Sequence, residues 1–241
     1  LGITAALAVM ALATAAAHAQ YPTKPVAMMV PFAAGGPTDT VARSLAVSMG
    51  KALGQTIVVE NVPGAGGTIA PTKLKNASAD GYTLLIAHIG MSTAPSLYRS
   101  LPFKPVEDFE PIGQVVDVPM TFIAKKDLPP NDFKGLVAYV KANKDKVTLA
   151  NAGLGAASHL CGLLFMSAIQ ADLTTVPYKG TAPAINDLLG GQVDILCDQT
   201  TQTTPHIKAG TVKLFGVTTL TRVGALPTVP TLAEQGLKDF E

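Results

Sequence analysis

Val26-Ala27-Met28-Met29-Val30-Pro31-Phe32-Ala33-Ala34-Gly35-Gly36-Pro37-Thr38-Asp39 sets the pattern that the rest of the chain repeats. Val26 to Val30 is an apolar run of strand length, and the glycines and proline that follow force a tight reversal. Beyond the turn, Val41, Leu45, Met49 and Leu53 recur at the spacing of one helix face. A buried strand that runs through a glycine turn into an amphipathic helix is the unit of a parallel α/β sheet covered on both faces.

The unit recurs along the chain. Thr56 to Val59 reads as a strand, Gly64 to Gly67 as a turn, and the following residues to about Asn76 as a helix. Asp80-Gly81 turns into a strand over Tyr82 to Ala87. Pro102, Pro105 and Pro111 then break the rhythm, and Val115 to Ala124 reads as one long extended segment that crosses between domains. The alternation resumes with a helix from Phe133, a strand over Val147 to Ala150 and a helix from Ala157. Thr174 to Pro177 predicts a strand, Ala182 to Leu189 a helix ended by Gly190-Gly191, and Val193 to Cys197 a strand. A helix near Thr204 and a strand over Val212 to Thr218 complete a second α/β unit.

The 241 residues carry 18 basic against 17 acidic side chains, a formal charge of +1. Readers of nucleic acid need a basic surplus to neutralise phosphates, so no nucleic-acid partner is expected. With 48% hydrophobic residues the chain is too apolar for a disordered one. Leu1 to Ala19 lacks charge and ends in Ala17-His18-Ala19, the pattern of an export signal cut before Gln20. Export places Cys161 and Cys197 in an oxidising compartment, where a bridge is allowed. The other reading, two small apolar core residues on a helix and a strand, is favoured by their positions.

Four strand-to-helix turns are built from small residues: Phe32 to Asp39, Gly64 to Thr68, Asn151 to Ser158, and Lys179 to Pro183. Each leaves free backbone N–H groups at a helix start, where the peptide dipoles favour an anion. In open α/β sheets such turns lie at the carboxyl ends of the strands, where ligands sit. The chain has no G-x-x-x-x-G-K-[ST] loop, and none of its three arginines, Arg43, Arg99 and Arg222, adjoins these turns. A small carboxylate held by main-chain N–H groups, Thr38 and Ser158 fits better than a phosphate. His88, His159 and His206 stand far apart without metal-ligand spacing, so neither a metal nor a cofactor is expected. His159 reads equally as a ligand contact or a capping residue. Gly90-Met91-Ser92-Thr93-Ala94 nearly spells a nucleophile elbow, with Asp187 or Asp194 and then His206 in hydrolase order. Ala94 in place of the second glycine argues against that enzyme.

Several motifs in this order resemble the Bug family, the TctC-like periplasmic solute-binding receptors of tripartite tricarboxylate transporters. They are Tyr21-Pro22 and Lys24-Pro25 into Val30-Pro31-Phe32, Gly35-Gly36 with Asp39 and Arg43, Val59-Glu60-Asn61, Gly64-Ala65-Gly66-Gly67, Asp80-Gly81-Tyr82-Thr83-Leu84-Leu85, Ser158-His159-Leu160, Val176-Pro177-Tyr178-Lys179-Gly180 and Val229-Pro230-Thr231-Leu232-Ala233-Glu234. The resemblance implies a type II periplasmic binding protein: two α/β lobes with a ligand cleft between them, here residues 20–122 and 123–238. It implies a monomer that binds a small carboxylate and meets the membrane subunits of a transporter. Carried over by position, the carboxylate grip falls on Phe32, Ala34, Gly35, Gly36, Thr38 and Asp39 of the first lobe and on Gly155, Ala156, Ser158 and His159 of the second. Tyr178, Gly180 and Ala182, with His88 and Ser92 after the third strand, line the remainder. Asp198 has two readings, a contact to the variable end of the ligand or a helix cap. Members of the family run on past the equivalent of Glu241, so the C-terminal part of lobe one is expected to be missing, with 239–241 starting the return crossing. A carboxylate sensor is the alternative role.

Overall fold

The computed structural model describes residues 21–237 and Phe240. The expected export segment and its cut before Gln20 lie outside these residues, as do Asp239 and Glu241. The described residues form eight strands and seven α-helices in two sheets.

The first sheet contains β1 (Val26–Val30), β2 (Ile57–Asn61) and β3 (Thr83–Leu85) in the order β2-β1-β3, all parallel. Helix α1 (Pro37–Leu53) covers it: Val26, Met28 and Val30 pack with Ala42, Leu45 and Met49, so of the face read from the sequence Leu45 and Met49 meet the sheet, Ala42 takes the place of Val41, and Leu53 is exposed. A single 3-10 turn at Ala65–Gly67 leads into α2 (Ile69–Lys75), and α3 (Gly90–Leu97) follows β3.

The second sheet has β4 (Met120–Lys125), β5 (Thr148–Asn151), β6 (Thr174–Pro177), β7 (Ile195–Gln199) and β8 (Val212–Val217), in the order β6-β5-β7-β4-β8. Its helices are α4 (Phe133–Ala142), α5 (Ala157–Ile169), α6 (Thr181–Leu189) and α7 (Thr200–Lys208). Neighbouring residues on its strands bury on opposite faces. Phe122, Leu149 and Ile195 pack with Leu136 and Phe165, while Ile123, Ala150 and Leu196 pack with Ile185 and Leu188. A sheet covered on both sides needs continuous apolar strands, which these are.

Two expectations are corrected here. Only Met120–Lys125 of the long extended segment is a strand; Val115 and Val116 before it are exposed and lack a strand partner. By its pairing β4 belongs to the second sheet, running antiparallel to both β7 and β8. The sheet is therefore mixed rather than parallel. Cys161 and Cys197 are bonded to each other, which overturns the reading as free core thiols. The sequence spacing could not show that Cys197 of β7 turns toward the face covered by α5, where Cys161 sits.

The bridge closes a loop with a sequence separation of 36. By loop-closure entropy a loop of that size stabilises by roughly 4 kcal/mol. The C161A/C197A double variant is expected to lose stability of that order, measured as a lower urea midpoint with a steeper slope, since the unfolded chain is freed to expand. A midpoint equal to that of the oxidised wild type would show that the bridge adds nothing.

Candidate functional site

Strand direction decides which residues meet. Strands β1, β5 and β7 end at one edge of their sheets, and antiparallel β4 starts at the same edge, with Met120 paired to Gln199. The helices that follow the parallel strands therefore begin there. Their N-cap residues, Gly36 for α1, Ala156 for α5, Gly180 for α6 and Gln199 for α7, make no side-chain cap. Helix α4 follows β4 and starts at the opposite end, and there Asp132 caps it through the Gly135 N–H. Among the described helices α4 alone carries such a cap. The sequence thus supplies a capping carboxylate away from the common edge and leaves the starts of α1, α5 and α6 open to another acceptor, while the first amide of α7, at Thr200, donates to the Pro119 carbonyl at 2.9 Å.

Between the two sheets lies a cavity of about 30 Å3 lined by Phe32, Pro37, Thr38, His88, Met120, Ala152, Ala156, Ala157, Ser158, Thr181, Asp198 and Gln199. The first three and His88 come from the side of the first sheet, the others from the second. Among the described residues no lysine or arginine lines it. The amides of Thr38, Ala157, Ser158 and Thr181 have no backbone acceptor among the described residues. Phe32 packs on Ala152 and Ala156 across the seam and against the His88 ring, with centroids 4.7 Å apart. Three further contacts close the seam. The Ala33 N–H donates to the Lys179 carbonyl at 2.9 Å. The Tyr98 hydroxyl lies 2.8 Å from the Leu154 carbonyl and 2.7 Å from that of Ala65. Gly153 touches Gly66.

The structure brings together Phe32, Thr38, His88, Ala156, Ser158 and Asp198 of the expected set. Gly36 and Ala182 meet across the seam, where a Cβ on Gly36 would lie 3.9 Å from the Ala182 nitrogen. Gly180 fills a seam position too, since a Cβ there would lie 3.0 Å from the Ala33 nitrogen. The remaining expected residues are elsewhere. Ala34 and Gly35 are exposed. The Gly35 N–H and the Arg43 guanidinium donate to Asp39 Oδ2, each at 2.9 Å, and Asn61 donates to Oδ1 at 3.0 Å. Asp39 is thus engaged in holding the first turn and does not line the cavity. Its burial opposes ionisation, but these donors outweigh it and hold the carboxyl below its ordinary range. Tyr178 packs with Ile185 and Leu188 and donates to Asp187 at 2.6 Å. His159 accepts from the Gly155 N–H at 3.3 Å, which ties the turn before α5, and does not line the cavity. Ser92 is exposed in the first turn of α3 and does not line the cavity. Asp187 is bonded to Tyr178 and Asp194 to Lys125 and Thr148, so the hydrolase order of the sequence does not assemble.

Pro37, Ala152, Ala157 and Thr181 lie within the turns marked in the sequence but were not singled out there, and Met120 and Gln199 lie outside every marked turn. Gln199 had a signal, since it ends a parallel strand. Met120 had none, because nothing local marks β4 as the reversed strand.

Two cavity residues titrate in opposite directions. Asp198 is 1% exposed, and its Oδ2 is buried without a hydrogen-bond partner among the described residues. Burial pushes its carboxyl up to about 7, against the Gln199 amide and the Thr181 hydroxyl. His88 accepts the Gly90 N–H on Nδ1 at 3.0 Å, so its neutral ring carries the proton on Nε2. Burial lowers its pKa to about 4.

Comparison with known proteins agrees with this geometry. The family model for the tripartite tricarboxylate transporter family receptor, TctC, matches residues 41–241. The chain belongs to this family. It is 52% identical over 227 residues to a UPF0065 protein of Agrobacterium vitis, covering 94% of this chain and 66% of that one. The chain thus spans about two thirds of the length of that relative. The periplasmic binding protein BugD is 61% identical with a TM-score of 0.90, over 92% of this chain and 74% of its own. The family member MatC of Rhodopseudomonas palustris, solved with malate, is 40% identical with a TM-score of 0.88, over 92% and 76% of the two chains. An R. palustris protein solved with adipate is 34% identical with the same TM-score of 0.88, over 92% and 74%. These structures share the two-lobed α/β architecture of a type II periplasmic binding protein.

The two shifted groups predict a pH dependence. A buried acid with a raised pKa binds a proton in the folded state first, so Asp198 adds stability as pH falls from 7 toward 4. A partly buried histidine with a lowered pKa binds its proton in the unfolded state first, so His88 removes stability as pH falls from 6.5 toward 4. At about 1.4 kcal/mol per pH unit each is worth up to roughly 3 to 4 kcal/mol, and in the wild type the slopes largely cancel. Urea titrations between pH 4 and 7 are expected to show stability falling toward acid in Asp198→Asn and rising toward acid in His88→Gln. Parallel curves for both variants and the wild type would refute the assignment.

Proposed function

We propose that the protein is a periplasmic receptor that captures a small carboxylate between its two lobes, with the strand Met120–Lys125 in the second, and delivers it to the membrane subunits of a tripartite tricarboxylate-type transporter. The observation that carries this reading is the convergence of uncapped helix starts on one cavity that no described lysine or arginine lines. Unpaired N–H groups at several helix N-termini favour an anion by their dipoles and by direct hydrogen bonds. The anion they suit is small and flat enough to reach main-chain nitrogen, which describes a carboxylate. Relatives solved with malate and with adipate support the same class.

In this reading the Thr38 amide from one lobe and the Ala157 and Ser158 amides from the other hold one carboxylate. The Ser158 hydroxyl accepts the Ala152 N–H at 2.8 Å, which leaves its own proton free to donate to the ligand. His88, protonated on Nε2, is a second neutral donor. Contacts across the seam close over this cavity, so the seam must widen to let a dicarboxylate in. Opening and closing of the lobes then provides capture, and the ligand stabilises the closed form by touching both sides. The role is binding rather than catalysis, and the protein acts as a monomer without cofactor.

Thermal unfolding with malate, succinate, glutarate and adipate is expected to show at least one ligand that raises the Tm with its concentration, as binding to the folded form requires. Absence of any shift across a carboxylate panel would sink the reading. Gly66 has φ +60, and a side chain there would run into the Leu154 carbonyl across the seam. Gly66→Ala is expected to weaken that ligand at least tenfold, by calorimetry, while the unliganded Tm falls by only a few degrees. Unchanged affinity would mean that closure at this seam is not part of capture. Uptake of labelled ligand in a deletion strain separates transport from sensing.

A further inference from the structure

Asp198 poses a problem for a receptor of anions. Among the described residues it is the one acidic side chain lining the cavity, and a second negative charge there would repel a carboxylate with no described lysine or arginine to offset it. The helix-cap reading does not remove the problem, since α7 has no side-chain cap and Asp198 Oδ2 has no partner among the described residues. A buried carboxyl oxygen without a partner is costly to keep, and one facing a ligand cavity is resolved by the ligand.

Two ligand chemistries could resolve it: a cationic group paired with the carboxylate, or a carboxylate that accepts a hydrogen bond from the carboxylic acid. The surroundings decide between them. Thr181, the first residue of α6, and Gln199, the N-cap of α7, line the cavity beside Asp198. Both helix starts point positive ends at this corner and disfavour a cation there. The groups that line the cavity with Asp198 include Met120 of β4, Ala152 after β5, Thr181 of α6, Gln199 before α7, and Thr38 and His88 of the first lobe. Of these only His88 titrates, and it is neutral at neutral pH. The Thr181 hydroxyl is bonded to Gln202 Oε1 at 2.8 Å. No neighbour therefore supplies a full positive charge.

We propose that Asp198 takes up one proton from solvent when the carboxylate binds and donates it in a hydrogen bond to a ligand oxygen, which makes capture by this cleft proton-coupled. The inference rests on the carboxylate reading above. In the balanced step, the Asp198 carboxylate plus a solvent proton becomes the acid, and its O–H points to the ligand carboxylate. No bond in the ligand is broken. The two carboxyl groups then share a proton, the arrangement that lets like groups sit at hydrogen-bond distance.

Isothermal calorimetry with malate and with adipate, in phosphate and in Tris at pH 7 to 9, counts the protons. Ligand carboxylates stay ionised over this range. The wild type is expected to take up roughly one proton per ligand at pH 8.5, with Kd rising about tenfold from pH 8 to pH 9. Asp198→Asn keeps a neutral donor, so its Kd is expected to be independent of pH and no weaker than that of the wild type at pH 9, with no proton uptake. If the variant does not fold, the proton count of the wild type decides alone. Tight binding by the wild type with no proton uptake overturns the proposal. Binding of L-aspartate but not malate, lost in Asp198→Asn, overturns it in favour of an ammonium partner. Failure of every carboxylate to bind at any pH instead removes the reading on which the proposal rests.

Discussion

Helix starts without side-chain caps, gathered along one edge of two sheets, are the constraint from which the site follows. Each leaves backbone N–H groups that water or a ligand must satisfy. Strand direction puts them together: parallel β1, β5 and β7 deliver α1, α5 and α7 to one edge, and reversed β4 sends α4 to the other. The capping residue Asp132 appears only at the far end. Local sequence and global topology thus agree on where an anion can be held.

A grip made of main-chain groups needs its turns to be held in place, because their small residues supply little packing of their own. The first turn is fixed by Asp39, whose carboxylate gathers the Gly35 amide, Arg43 and Asn61, and Asn61 also donates to the Phe32 carbonyl at 3.0 Å. The second is fixed by Asn151, which accepts the Gly153 N–H at 2.8 Å, and by Ser158, which accepts the Ala152 N–H. The disulfide extends the same logic inward. It joins α5 three residues beyond Ser158 to β7 one residue before Asp198, so two walls of the cavity share a covalent tie.

The alternation of strands and helices was legible because each strand is an apolar run bounded by glycine, proline or aspartate and each covering helix keeps its spacing. The turns were legible as a group for the same reason. What the sequence could not show was direction and facing. Val115 to Ala124 looks extended throughout, yet only the part that pairs with β7 and β8 is a strand, and its reversal comes from tertiary pairing. Asp39 and Tyr178 sit in the right turns but point inward to Arg43 and Asp187, and one position along a helix or turn separates a lining residue from a supporting one. Gly35 and Gly36 show the same limit: adjacent in sequence, one exposed and one buried in the seam.

The electrostatics of the cleft follow from what it lacks. A guanidinium or ammonium group would bind a carboxylate through a full charge, and its strength would vary little with pH over the neutral range. This cleft offers instead amide dipoles, the Ser158 hydroxyl and the neutral His88 ring, all of which keep their donor character without gaining or losing charge near neutrality. Neutral donors in a low-dielectric cavity hold an anion without the large desolvation cost of burying a cation beside it. They also leave the balance sensitive to any single buried charge. Asp198 is that charge, and its raised pKa places its change of state in the neutral range, where a small input from the ligand is enough to move it.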